Sequence, residues 1–178
     1  KQYEVIAGRM PENYNEVVVI VDEKNQISDY TLYSLGLKDS DELAETIQKA
    51  MRGEAVSEPA ETSYTYDEIL SLSFKLLPNS EYFEKDANGL WVDKSEDQLY
   101  ILDKLKSAES VSVVGILRTG KGNSKSSTSG AVGYLSGLMT HLIDVVNQSQ
   151  VVTEQNANPQ TDIFTGLEFS DKDFTLED

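Results

Sequence analysis

Glu16-Val17-Val18-Val19-Ile20-Val21 carries five consecutive β-branched apolar residues after a single acid. An unbroken run of this kind, with no polar alternation, reads as a strand buried on both faces. Val17 to Val21 is also the longest apolar run in the chain, and it falls far short of the roughly 20 residues of a membrane helix. Working outward, Tyr3 to Ala7 reads as a short strand stopped by Gly8. Met10-Pro11-Glu12-Asn13 has turn chemistry, and Asp22 to Gln26 is a polar turn.

Beyond the turn, Ser28 is placed to cap a short helix with Leu32 and Leu35 on one face and Gly36 at its end. Asp39, with Glu42 as its capping-box partner, opens a second helix whose buried stripe is Leu43, Ile47 and Met51 and whose stop is Gly53. Residues 53–65 are acidic and poor in apolar side chains and read as an exposed flexible loop. Thr65 and Glu68 can cap one helical turn. Leu70, Leu72, Phe74 and Leu76 then alternate with polar residues as a half-buried strand ended by Pro78.

Glu81 to Lys85 and Leu90 to Asp93 flank Asp86-Ala87-Asn88-Gly89, a β-hairpin signal. Ser95 with Gln98 predicts a capping box for a helix bearing Leu99, Leu102 and Leu105. Val111 to Leu117 gives another core strand, and 120–130, rich in Ser, Gly and Lys, reads as a mobile loop. Residues 131–147 read as the longest helix, with Leu135, Leu138, Met139, Leu142 and Val146 along one face. A polar tail follows, containing the strand-like Asp162-Ile163-Phe164. This irregular mixture predicts an α+β fold, a mixed sheet with a hairpin and several helices, built as a single domain over 1–178 or as two small subdomains on a shared sheet.

The chain has 178 residues, 15 basic and 31 acidic, one histidine and no cysteine, for a net charge of −16. A chain of this length buries roughly 70% of its unfolded surface and needs neither metal nor disulfide staples. Its acidity repels phosphate backbones, which argues against a nucleic-acid partner and disfavours anionic membrane surfaces. Without cysteine there is no thiolate catalysis, no Cys-zinc site and no disulfide. No signal peptide is evident, the first residue is Lys1, and the chain reads as a fragment of something longer.

Gly115-Ile116-Leu117-Arg118-Thr119-Gly120-Lys121 fits the front of a phosphate-binding loop. Gly122 stands where Ser or Thr should hold magnesium, and a Ser-rich loop follows where a helix should start. We read it as a strand leaving into a loop. His141 is the only histidine and reads as an ordinary helix-surface residue, for no H-E-x-x-H pattern or G-x-S-x-G elbow accompanies it. The lone Trp91 reads as core or rim packing beside the hairpin. Tyr30, Tyr33, Tyr64, Tyr66, Tyr82, Tyr100 and Tyr134 read mostly as packing residues with hydroxyls at the surface. The acidic turns 22–29 and 86–97 lack the ligand spacing of a calcium loop. No catalytic, cofactor-binding or metal-ligating residue is assigned.

Ile6-Ala7-Gly8-Arg9-Met10-Pro11, then Asn15-Glu16-Val17-Val18-Val19, then Ile27 to Gly36, resemble the extracytoplasmic domain of bacterial FtsX-like ABC transporter permeases, the MacB-like periplasmic core domain in its Gram-positive form. Val113 to Arg118, Ser129 to Tyr134, Asn158-Pro159 and Asp162 to Gly166 match its later half, so the likeness covers nearly the whole chain in order. The resemblance implies a MacB-core-like α+β fold and a plasma-membrane protein with this domain on the extracytoplasmic side. It implies a non-enzymatic role without cofactor, passing cytoplasmic ATP-driven motion outward for transport, efflux or signalling. Its implied partners are a second permease copy, the chain's own membrane helices, an ABC ATPase and a membrane-fusion-type accessory protein. An apolar helix is expected just before Lys1 and at least three after Asp178. The alternative is a free-standing extracellular ligand-binding module or hydrolase.

Overall fold

The computed structural model describes residues 3–27, 63–120 and 131–169, with 31, 32, 35–37, 45, 48, 49 and 51–53 between them. In chain order the elements are β1 (Tyr3–Gly8), β2 (Glu16–Val21), α1 (Tyr66–Leu70), β3 (Ser73–Leu76), a 3-10 turn (Asn79–Tyr82), β4 (Phe83–Lys85), β5 (Trp91–Asp93), α2 (Gln98–Ser107), β6 (Glu109–Thr119), β7 (Val132–Tyr134), α3 (Ser136–Gln148) and α4 (Gln150–Ala157). The fold is α+β. The helix starts expected at Ser28 and Asp39, the stripe residues Leu43 and Ile47, most of the 53–65 loop and the body of the 120–130 loop lie outside the described residues.

The chain divides into two compact units, Lys1–Phe74 with Ser110–Gly137, and Lys75–Glu109 with Leu138–Asp178. In the first, all six residues of β2 are buried. The strand lies inside the sheet order β1-β6-β2-β7, parallel to β6 on one side and antiparallel to β7 on the other, so both its edges are paired. Val19 lies in register with Ile116, and both are 0% exposed. Val18, Ile20 and Leu117 pack with Tyr3, Val114 and Ala131. β1 runs antiparallel to β6, and β3 also pairs with β6.

β1 and β6 approach so closely at Gly8 and Gly115 that no side chain fits. A Cβ on Gly115 would stand 2.0 Å from the Arg9 carbonyl oxygen, and one on Gly8 2.2 Å from that of Val114. Arg9 N–H donates to the Val114 carbonyl at 2.9 Å across this approach. Gly115 therefore sits inside a strand that runs on to Thr119, whereas a phosphate loop would need it where the strand ends.

Several elements depart from expectation. Residues 132–134 form β7 rather than the start of the long helix, because β2 needs a partner on its second edge. Gly133 lets that strand lie on Val18, whose Cγ2 would be 3.0 Å from an added Cβ. The Thr65–Glu68 capping box forms in full and carries α1 through Leu70, so the alternating strand begins only at Ser73. Met51, expected on a buried stripe, is 84% exposed.

The second unit is built around Trp91, Val151 and Ile163, with Phe83 and Val152 against them. β4 and β5 form the hairpin, in which Gly89 has φ +83°. Asn88 does not adopt a positive φ; instead the Asp86 carboxylate accepts from the backbone N–H groups of Asn88 and Leu90. The N-cap of α2 is Asp97, accepting from Tyr100 N–H at 3.2 Å, while the Ser95 N–H turns back to Asp93. The buried face also differs from the expected one. Tyr100, Ile101, Lys104 and Leu105 are half-buried, whereas Leu99 is 80% and Leu102 58% exposed. Residues 150–157, expected as polar tail, form α4, capped by Ser149 and anchored by buried Val151. Asp162-Ile163-Phe164 is a turn rather than a strand: Asp162 oxygens accept from the N–H groups of Phe164 and Gly166 and from the Thr165 hydroxyl.

Candidate functional site

In the first unit the motif residues of the opening resemblance meet at one corner. Arg9 Nη1 donates to Glu16 Oε2 at 2.8 Å and Arg9 Nη2 to Oε1 at 2.5 Å. Glu12 N–H and Asn13 N–H reach Oε2 at 2.8 and 3.1 Å, and Asn13 Nδ2 reaches Oε1 at 3.0 Å. The carboxyl is held well below the usual range, first by Arg9, then by the Glu12 backbone N–H and the Asn13 amide. So satisfied, Glu16 can be only 9% exposed at the head of β2. A carboxylate with its lone pairs filled is a poor base, and its work here is to fix the β1–β2 turn.

In the second unit a cleft of about 220 Å³ is lined by Glu81, Lys104, Ser107, Glu109 and His141 above an apolar floor that includes Leu76 and Leu142. His141 Nε2 stands 2.7 Å from Glu109 Oε2, and the imidazole is 29% exposed, so it is more enclosed than a helix-surface histidine. Lys104 Nζ donates to Glu81 at 2.9 Å, a bond that raises the lysine's pKa. Ser107 turns its hydroxyl toward the Lys104 carbonyl of its own helix at 3.3 Å. The cleft thus holds two side-chain couples in hydrogen-bond contact, Lys104 with Glu81 and His141 with Glu109, rather than an aligned nucleophile and base.

Trp91 is core, 6% exposed, with the Lys85 ammonium 5.6 Å from its ring centroid. Lys85 pairs with Glu154 at 2.7 Å, and this lowers the Glu154 carboxyl, with a smaller contribution from the Trp91 indole. The indole N–H makes no hydrogen bond of proper geometry. Among the tyrosines, Tyr100 donates to the carbonyls of Glu81 and Phe83 and Tyr64 to that of Leu37, while Tyr134 is 52% exposed. Tyr30 and Tyr33 lie outside the described residues.

Two surface features escaped the sequence reading. A groove of about 410 Å³ in the second unit is lined by Leu76, Leu77, Pro78, Asn79, Leu142, Ile143, Val146 and Asn147, with no charged side chain among them. The turn at 162–166 also leads into Leu167 and Phe169, which are 68% and 52% exposed. The sequence did hold a signal for each. α3 has apolar residues on more of its circumference than one buried stripe uses, and three large apolar residues crowd the last described stretch.

Among the described residues no group of three or more His, Asp or Glu is placed to hold a metal ion, and no helix is long and apolar enough to cross a membrane. No family model, curated protein or solved structure matches the chain.

Proposed function

We propose that this chain is the extracytoplasmic domain of an FtsX-like, MacB-like ABC transporter permease, a non-enzymatic part that couples ATP-driven motion on the cytoplasmic side to transport or signalling outside. The observation that carries the reading is the Arg9–Glu16 corner. Gly8, Arg9 and Glu16, which opened the resemblance, each have a physical task in one turn. The apolar groove and the exposed Leu99 and Leu102 favour work done through protein contacts. The partners in this reading are a second permease copy, the membrane helices and ATPase of the same transporter, and a membrane-fusion-type accessory protein.

The test uses the absence of native cysteine. Leu99→Cys and Leu102→Cys in the full-length protein, in membranes, should give crosslinks whose yield changes when ATP is added. Reading the gene on both sides should reveal the apolar helices. Crosslinks indifferent to nucleotide, together with turnover or tight binding of a small molecule by the purified chain, would replace this reading with that of an extracellular hydrolase or ligand-binding module.

A further inference from the structure

We propose that Asn88 is a site of spontaneous covalent modification, losing its side-chain amide to the Gly89 backbone nitrogen whenever the 86–90 turn opens, and that Asp86 is the positioning residue that holds this reaction in check. Neither part depends on the permease reading.

The reaction needs a side-chain amide followed by a residue that leaves the next nitrogen uncrowded. Glycine has no Cβ and is that residue, and among the asparagines of the chain only Asn88 precedes one. Both residues are exposed, in the turn that joins β4 to β5. The Gly89 nitrogen gives up its proton to hydroxide and attacks Asn88 Cγ. A C–N bond forms and closes a succinimide ring. The Cγ–Nδ2 bond breaks, and the departing nitrogen takes up a proton and leaves as ammonia. Water then opens the ring at either carbonyl. One opening leaves aspartate at position 88; the other leaves isoaspartate, with the main chain routed through Cγ. The only co-reactant is water, and nothing is oxidised or reduced.

The folded turn opposes these steps. The Gly89 N–H is occupied, donating to the Asp86 carbonyl at 3.1 Å. The leaving group is held as well, for Asn88 Nδ2 donates to Asp86 Oδ2 at 3.2 Å. Asp86 Oδ1 accepts from Asn88 N–H at 2.8 Å and from Leu90 N–H at 2.9 Å, and Asp86 N–H returns to the Leu90 carbonyl at 2.8 Å. One residue thus ties down the nucleophile, the leaving group and the far end of the turn. The Leu90 N–H, with smaller help from Asn88 and Gly89, holds the Asp86 carboxyl below its ordinary value. It is therefore a fixed anion beside a nitrogen that has to become negative to react.

The product does not suit the turn that made it. A carboxylate at position 88 puts an acceptor where the Nδ2 donor stood 3.2 Å from Asp86 Oδ2, and attraction becomes like-charge repulsion. Isoaspartate also adds a carbon to the main chain between Asp86 and Leu90, whose backbone pair is closed at 2.8 Å. Lys85 and Trp91 are the first strand pair beyond the turn, and Trp91 packs with Val151 and Ile163 at the centre of the second unit. An opening of the turn is thereby recorded beside that core, where the lone tryptophan reports it.

The experiment incubates the 178-residue chain at mildly alkaline pH, folded and in urea. Peptide mass spectrometry locates each amide-to-acid conversion, and Trp91 fluorescence follows the folded samples. In urea, Asn88 should convert before any other asparagine, including Asn79 and Asn123, which precede serine. The folded parent should convert at the same residue but roughly tenfold more slowly or less, since each hydrogen bond to a charged group shifts local opening by about that factor. Asp86→Ala, checked by circular dichroism to be folded, should regain most of the rate seen in urea. Asp86→Asn keeps an oxygen acceptor without the charge and should fall between Asp86→Ala and the parent. Asn88→Asp is the aspartate product and should shift the Trp91 emission without any incubation. These positions are exposed, so the substitutions leave the core intact. Equal rates for the folded and unfolded parent overturn the proposal. So does either Asp86 variant that stays as protected as the parent, conversion that begins at another asparagine, or an Asn88→Asp emission identical to that of the parent.

Discussion

Replacing Gly115 by alanine tests the tightest point of the sheet. The new Cβ would lie 2.0 Å from the Arg9 carbonyl oxygen and 3.2 Å from Val18 Cγ1. Reaching even 3.0 Å from that oxygen takes a retreat of about 1.0 Å, and the obstacle is main chain, which cannot rotate aside. Overpacking of this kind costs about 1–3 kcal/mol. The retreat also breaks the Arg9 N–H to Val114 carbonyl bond of 2.9 Å, worth about 1 kcal/mol net. Alanine restricts the unfolded chain and returns about 0.4–1 kcal/mol. The balance is a loss of about 2 kcal/mol, within a range of roughly 1–4. For a chain of this length that is a fall in melting temperature of about 4–8 °C, read by far-ultraviolet circular dichroism. Gly137→Ala is the control. Its nearest neighbour is Tyr14 Cβ at an unstrained 3.4 Å, and in α3 alanine gains up to about 1 kcal/mol of helix propensity. The same chemical change should then raise the melting temperature. If Gly115→Ala melts with the parent, the close approach of β1 and β6 is not how this sheet is built.

Asp97→Ala should cost about 0.5–2 kcal/mol by removing the cap of α2, whereas Ser95→Ala should stay within about 0.5 kcal/mol; paired urea titrations separate the two. Ile116→Ala, at a position with 0% exposure, should cost about 2–5 kcal/mol, while Met51→Ala, 84% exposed, should cost less than about 0.5 kcal/mol. The Glu16 carboxyl is lowered on folding from an ordinary value of 4.5, so the unfolded chain takes up its proton first as pH falls. Its contribution to stability is therefore complete above that value and drains away below it. Glu16→Gln should flatten the stability–pH curve on that acid side, measured as the difference from the parent in urea midpoints.

The buried run of β2 was legible because five β-branched residues in a row have few other uses, and the Thr65–Glu68 cap because its chemistry is local. The strand at Val132–Tyr134 was not, since a three-residue strand is specified by the edge it completes, and that edge lies over a hundred residues earlier in the chain. Asp97 and Ser95 are both good caps, and only the packing of Tyr100 and Leu105 against the rest of the second unit chooses between them. The helix over 150–157 is polar on most of its surface and is held by Val151 against Trp91, a partner that spacing along the helix cannot announce. The Arg9–Glu16 pair was visible only as letters in a motif. Its bidentate geometry depends on a turn whose shape the pair itself enforces.

The strand order β1-β6-β2-β7 carries a consequence for synthesis. Neither of the first two strands is the other's neighbour, and both wait for β6. About a hundred residues separate Val21 from Thr119, and at ribosomal rates of about 5–20 residues per second that wait lasts roughly 5–20 s. Throughout it, Val17 to Val21 is a nascent segment of high β-propensity with no proline and no charge within it, the type of sequence most prone to pair with the wrong chain. Glu16 and Asp22 flank that run as acidic gatekeepers, and the emerging polypeptide should be a client for holdase chaperones until β6 leaves the ribosome.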